Sequence, residues 1–448
     1  MKPTLRLLAL MLAALLLLAA CAEDEDAAEE PEDDADVEEP EDDDEEEEAD
    51  DDEADEEEGA EEEGEEDEEA VTRADADLVI WADDTRTPAL EPFAEEFGAD
   101  NDVEVVVQEL PFDDLDDQLI TAGPAGEGPD IIIGAHDWTG RLIENGVIAP
   151  IDLGGIADEL ADVAVEGFTF DGQVYGLPYA TENLALVRNT ELVPEAPETW
   201  DELIEVGQGL VEDGEAEEAV VWPTEPADPY HNYPVVTAYG GYVFGQEDDG
   251  SYDPSDLGLD NEGSIEAAEA YSDWVEEGIL NVDVTYDLMI ELFSNGDAPF
   301  TIAGPWTLGD FEEAGVDYEV TPIPEIDGGT PQPFVGVQGF MLSSFAENEL
   351  LAQTFLTDYM ATEEAQLALY DADPRPPAML SAFEEVSEDP NIEGFGESGL
   401  EGQPMPNIPE MDSVWESWTD AYELIWEGSE EPDTAFTQAA EQIRGLIE

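Results

Sequence analysis

Aromatic residues set beside turn-forming glycine and proline are the features of this sequence best suited to holding a ligand. The segments Asp228-Pro229-Tyr230, Gly304-Pro305-Trp306, and Trp415 shortly after Met405-Pro406-Asn407-Ile408-Pro409 each place a flat ring next to a stiff stretch of backbone. A sugar ring presents an apolar C–H face and a rim of hydroxyls. A site for one therefore needs aromatic platforms edged by carboxylate, guanidinium or amide groups. Any one of these aromatics alone is more often core than platform, so their order along the chain carries the argument.

Other chemistries lack their residues. There is no glycine-rich phosphate loop followed by Lys, no Gly-x-Ser-x-Gly turn and no dinucleotide fingerprint. With 123 Asp and Glu among 448 residues, carboxylate pairs at glycosidase spacing arise by chance, so no pair is diagnostic of an enzyme. One cysteine excludes an intrachain disulfide framework. Two histidines, His136 and His231, argue against a His-rich metal centre. No cofactor and no metal are expected. Only 8 Lys and Arg oppose the acids, and the net charge of −115 repels phosphate backbones and anionic lipid surfaces. No nucleic acid partner is expected.

Residues 1–21 read as an export signal: Lys2 and Arg6 precede the apolar run Leu7 to Leu18. That run is shorter than the ~20 residues a stable spanning helix needs. Leu18-Ala19-Ala20-Cys21 resembles the bacterial lipobox, which makes Cys21 the expected lipidation site and lipid the only membrane anchor. Residues 22–70 hold 36 acids and no basic residue, and read as a disordered acidic tether. The rest of the chain carries 87 acids against six arginines and no lysine. Repulsion of that size is removed in ~1 M salt, where the Debye length is about 3 Å. A halophile's extracellular protein is the expectation.

These residues must be positioned by a strand-helix rhythm. Leu78-Val79-Ile80-Trp81 is a short apolar strand. Leu90, Phe93 and Phe97 predict a helix stopped at Gly98, and Val103, Val105 and Val107 alternate as a strand. Leu115, Leu119 and Ala122 predict a helix ended by Gly123-Pro124, and Ile131-Ile132-Ile133 a strand covered on both faces. Further helices are predicted along Ile265, Ala268, Tyr271 and Val275, over 349–360 with Leu350, Leu351, Phe355 and Tyr359 inward, and from Ser413 onward. The fold class is α/β, with a parallel sheet and crossover helices.

In order along the chain, Gly128-Pro129-Asp130-Ile131-Ile132-Ile133-Gly134-Ala135-His136-Asp137, Leu177-Pro178-Tyr179 with Glu182-Asn183, and Pro197-Glu198-Thr199-Trp200 resemble maltose/maltodextrin-binding proteins of ABC importers. So do Tyr239-Gly240-Gly241-Tyr242, Leu257-Gly258-Leu259-Asp260-Asn261, Ala303-Gly304-Pro305-Trp306, Pro333-Phe334-Val335-Gly336-Val337 and Met405-Pro406-Asn407-Ile408-Pro409-Glu410-Met411. The resemblance covers nearly all of residues 78–448. It implies a two-lobed, type II periplasmic-binding-protein-like fold with sugar in the cleft between hinged lobes. The N-terminal lobe would be 71–181 plus 338–385, and the C-terminal lobe 184–335 plus 390–448. A monomer is expected, anchored on the outer face of the cytoplasmic membrane. It would take oligosaccharide from the medium and deliver it to permease subunits, with no covalent chemistry.

Carried over by this resemblance, Asp83, Asp84 and Arg86 would contact ligand after the first strand. Asp116 would supply an acid from the next helix, with Asp114 and Asp117 as alternatives. Asp137 would accept sugar hydroxyls or, alternatively, cap the following helix. Glu182 would be a hinge-adjacent carboxylate contact or, alternatively, be buried in a hinge hydrogen-bond network. Asp228 and Tyr230 match an acidic-Pro-Tyr motif, for which Glu225-Pro226 offers a second register. Trp306 and Trp415 resemble the stacking platforms, with Met405 a nearby apolar contact. Where maltose binders resemble Trp-Ala-x-Asp-Arg, this chain has Gly134-Ala135-His136-Asp137-Trp138, so Trp138 either restores a platform or packs in its own lobe. Near Trp415, Glu416 and Thr419 replace an aromatic and an arginine. Maltose and maltodextrins lead as ligands, with trehalose, sucrose or another oligosaccharide open. The competing readings are a secreted acidic glycoside hydrolase and a surface sugar sensor.

Overall fold

The computed structural model describes residues 72–246, 251–400 and 402–447. The signal segment, Cys21 and the acidic tether lie outside the described residues. Ten strands matter to the site: β1 (Leu78–Ala82), β2 (Val105–Glu109), β3 (Ile131–Ala135), β4 (Ile148–Ala149), β5 (Gly176–Glu182), β6 (Ala185–Asn189), β7 (Phe300–Ala303), β8 (Tyr318–Thr321), β9 (Phe334–Ser343) and β10 (Gln403–Pro404). β1 pairs in parallel with β2 and β3, and β3 pairs antiparallel with β9. β4 and β5 also lie antiparallel to β9, and β10 lies parallel to its start. A second sheet places β6 antiparallel between β7 and β8. The sheet around β1 is therefore mixed: its parallel half carries the crossover helices and its antiparallel half leads into the second sheet.

Every residue of β1 and β3 is buried, as expected of strands covered on both faces. Helix α1 (Thr87–Asn101) follows β1, and α2 (Leu115–Ala125) follows β2. The short α3 (Trp138–Glu144) follows β3. Two predicted helix ends were wrong. α1 runs through Gly98 and stops where Asp102 turns left-handed at φ 59°. A side chain at position 98 would come within 2.9 Å of the Val103 carbonyl oxygen, so this glycine serves close packing. α2 contains Gly123-Pro124 and ends at Gly126, φ 79°.

The second body is built on α4 (Trp200–Asp213), α5 (Pro229–Ala238) and α6 (Glu262–Glu276). The first body adds α7 (Glu349–Phe355), which continues as a π turn over Leu356–Met360, and α8 (Glu363–Ala372). Leu350 points outward, 80% exposed, against the expectation that it packs inward. The chain returns to the second body for α9 (Trp415–Trp426) and α10 (Pro432–Ile447).

Two large apolar cores result, and the molecule is a two-lobed α/β protein. The first core draws on Leu78 to Ala180 and Val337 to Ala382, the second on Leu184 to Phe334 and Met405 to Ile443. β9 passes from one to the other: Phe334 is in the second core and Val337 in the first. Charge contributes little cohesion, although each of the six arginines in the described residues pairs with at least one Asp or Glu. No helix among the described residues is long and apolar enough to cross a membrane.

Candidate functional site

The loops after β1, β2 and β3 leave the sheet on one edge, where ligands of open α/β sheets bind. Opposite them stand the turn Pro409–Ser413 and the start of α9, which belong to the second core. Between the two faces lies a cavity of about 280 Å³. Phe112, Asp113, Asp116, Asp117, Asp137, Trp138 and Arg141 line it from the first lobe, and Met411, Asp412 and Trp415 from the second.

Four of the sequence-predicted residues meet here: Asp116, Asp137, Trp138 and Trp415. Trp138 tilts against Phe112 with ring centroids 4.9 Å apart. Asp137 forms no side-chain cap for α3, so its alternative role as a helix cap is absent. Its Oδ1 is sealed from solvent and has no partner. Burial, reinforced by the charges of Asp116, Glu182 and Asp412, pushes the Asp137 carboxyl up to about 7. Burial likewise raises Asp116, although Arg141 donates to it at 2.6 Å. Asp116 is thus engaged by Arg141 while Asp137 keeps an unpartnered oxygen, and the indoles of Trp138 and Trp415 line the same cavity.

A second group of predicted residues, none of which lines this cavity, lies on the second lobe. Pro229 opens α5, and Asp228 caps it by accepting from the Tyr230 amide at 2.8 Å. Asp228 also binds His231 Nδ1 at 2.5 Å. Burial opposes its charge, yet His231 and these amides hold its carboxyl below the ordinary range. Trp306 lies 6.1 Å from Tyr230 and edge-on to His231 at 6.5 Å. The Tyr230 hydroxyl is buried without a partner, within the field of Glu182, Asp228, Asp137 and Arg375. Met405 is buried, and its carbonyl accepts from His136 Nε2 at 3.0 Å.

The third group is occupied within the protein. Asp83 Oδ1 accepts from the amides of Thr85 at 3.1 Å and Arg86 at 3.0 Å, and its Oδ2 pairs with the Arg86 guanidinium. Arg86 also donates to the Tyr179 hydroxyl at 2.7 Å and reaches Asp373 at 3.2 Å. Arg375 pairs with both Asp373 and Glu182, and Gln338 donates to Glu182 at 2.9 Å. Burial disfavours the Glu182 charge, but Arg375 and Gln338 outweigh it and keep the carboxyl low. Arg86 is thus held by Asp83, Asp373 and Tyr179, while its Nη2 is buried without a hydrogen-bond partner. Asp84 is exposed and does not line the cavity.

Two arginines that the sequence reading did not place stand at the centre of this arrangement. Arg141 pairs with Asp116, Asp117 and, at 3.5 Å, Asp412. Arg375 holds its guanidinium over the Trp306 ring, 5.5 Å from the centroid. Their rarity was the available signal, since any cation among so many acids has a strong claim to a specific role.

Comparison with known proteins shows the family. The family described as bacterial extracellular solute-binding protein matches residues 93–394, more than half of the chain. A galactooligosaccharide-binding protein of Bacillus subtilis is 29% identical over 83% of this chain and 90% of its own length. The maltodextrin-binding protein MdxE of the same organism is 30% identical over 83% of this chain and 89% of its own. A maltotriose-binding protein of Pyrococcus abyssi is 33% identical over 70% and 69%. The chain belongs to the bacterial extracellular solute-binding protein family.

Proposed function

We propose that this chain is the oligosaccharide-binding subunit of an ABC importer, taking maltodextrin-type sugars between its two lobes and delivering them to permease subunits. The observation that carries this reading is the cavity itself. Indoles from opposite lobes, Trp138 and Trp415, share it with the carboxylates Asp116 and Asp137. Flat faces for C–H surfaces and acceptors for hydroxyls are what a neutral oligosaccharide requires. Relatives named for maltotriose, maltodextrin and galactooligosaccharide support the ligand class. Those named as maltooligosaccharide ABC transporter solute-binding lipoproteins of Streptococcus pneumoniae support the importer and the anchor.

In this reading Asp137 and Asp116 accept hydroxyls while Trp138 and Trp415 stack on pyranose faces. Trp306 and Tyr230 extend the platform along the second lobe, with Asp228 capping the helix that carries Tyr230 and Met405 lining the edge. Asp83, Arg86 and Glu182 brace the floor, with Asp84 exposed beside Asp83. The lobes, 71–181 plus 338–385 and 184–335 plus 390–448, close over the sugar, and a tether from lipidated Cys21 keeps the body near the outer membrane face. Titration calorimetry in about 2–3 M salt with maltotriose, longer maltodextrins, galactooligosaccharide, trehalose and sucrose tests the ligand class. Micromolar binding of a maltodextrin is expected, weakened about tenfold by Trp415→Ala, as a lost stack plus its buried area implies. Absence of binding by every sugar would overturn the assignment. Release of the protein from membranes by Cys21→Ala tests the anchor, and retention would mean that something else holds it.

A further inference from the structure

We propose that Arg141 is a clasp between the lobes, holding the cleft shut by neutralising carboxylates that face one another across it. Five aspartates line the cavity: Asp113, Asp116, Asp117 and Asp137 from the first lobe and Asp412 from the second. Arg141 is the one Lys or Arg among the lining residues. Its three nitrogens are divided between the sides. Nη1 and Nη2 bind Asp116 and Asp117 of α2, and Nε faces Asp412 at 3.5 Å. The five other described arginines pair with Asp130, Asp83, Glu319, Glu182 and Asp260, so no second cation is at hand.

An exposed ion pair contributes little by attraction alone, and Asp412 is 54% exposed. The larger effect comes from removal. Without Arg141, like charges would meet across the cleft at closure with nothing between them. The backbone leaves the clasp in register: a side chain at Gly140 would come within 2.6 Å of the Asn407 carbonyl oxygen, so α3 sits directly against the second-lobe segment that leads to Asp412. Sugar need not touch Arg141 for this role. The clasp rests on the reading of the cavity as a cleft that opens, and is tested apart from sugar binding.

Spin labels at Leu350→Cys and Leu446→Cys, both exposed and on helices of opposite lobes, report the lobe separation in a Cys21→Ser background. In the ligand-free protein, Arg141→Gln is expected to lengthen that distance, and adding Asp412→Asn to shorten it again. The lengthening should shrink between about 0.5 M and about 3 M salt as the repulsion is screened. Maltotriose affinity should fall about tenfold in Arg141→Gln and recover at least about threefold in the double variant. An unchanged distance, or a loss that Asp412→Asn fails to relieve, would overturn the clasp. Distances that respond as stated in a protein that binds no sugar would uphold the clasp and remove the sugar reading instead.

Discussion

Gly134 and Trp138 compete for one volume. A side-chain carbon on Gly134 would fall 2.2 Å from Cζ3 and 2.5 Å from Cε3 of the Trp138 indole, so the ring lies against bare backbone at the end of β3. The two positions are therefore coupled: bare backbone at 134 leaves the volume that the Trp138 indole fills. The indole stands on the first turn of α3 and lines the cavity. Trp306 sits over Gly304 in the same way, with a contact of 2.1 Å to a hypothetical side-chain carbon there. In both lobes an indole lies against a glycine just upstream.

Gly134→Ala should accordingly act through Trp138. Overfilling a packed site costs about 1–3 kcal/mol, and the displaced ring should weaken maltotriose binding about tenfold. In a Trp138→Ala background the same alanine should cost almost nothing in stability, because the conflict is gone. Chemical denaturation of the four proteins of this cycle checks it. Equal cost of Gly134→Ala in both backgrounds would mean that the glycine answers to another neighbour.

Arg375 should prove the most sensitive charge in the molecule. It joins two buried carboxylates, Glu182 and Asp373, and faces Trp306 across the lobes. Removing one member of a buried ionic cluster leaves its partners uncompensated, which typically costs about 3–5 kcal/mol. Arg375→Gln should therefore lower the melting temperature far more than Arg444→Gln, whose pair with Asp260 is partly exposed. Equal shifts in the two variants would remove the distinction between buried and surface pairs here.

The strands were legible in the sequence because each is a local pattern. An apolar run bounded by turn residues marks β3. Helix ends were less legible. Glycine at 98 answers to the Val103 carbonyl, a packing demand that looks like a stop signal, while the residue that turns the chain is Asp102. The ionic cluster was hidden for another reason: Arg86 reaches Asp373, and Arg375 reaches Glu182, across long stretches of chain. Arg141 lies three residues after Trp138, on the same face of α3, a spacing that gains meaning only once the helix is known.

Salt should stabilise the whole body. Every arginine in the described residues already has an acidic partner, so the many remaining acids face each other through water alone. Screening shortens from ~10 Å at 0.1 M to ~3 Å at 1 M, which removes most of that repulsion. The melting temperature should rise steeply up to about 1 M potassium chloride and more gently beyond it. A melting temperature indifferent to salt over this range would show that the acidic surface does not strain the fold.

Asp137 gives stability a pH dependence of unusual sign for a carboxylate. Its folded pKa, about 7, lies above the ordinary value of 3.8, so the folded chain keeps a proton that the unfolded chain releases. Stability contributed by that proton is lost as pH rises from about 4 to about 7. Asp137→Asn lacks the effect, so its stability relative to the parent should climb through this window and level off above it, by on the order of 4 kcal/mol. His136 slopes the other way. It accepts from the Val337 amide at 3.0 Å, and burial lowers its pKa to about 4, so its contribution is lost as pH falls from about 6.5 to about 4. The parent protein should therefore look flatter than either single variant. Sugar adds a further shift. A hydroxyl donated to Asp137 favours the ionised form, so maltotriose should bind more tightly at pH 8 than at pH 5.5 in the parent, and the difference should shrink in Asp137→Asn. Calorimetry at the two pH values in 2–3 M salt reads this directly, and an undiminished difference in the variant would place the titrating group elsewhere.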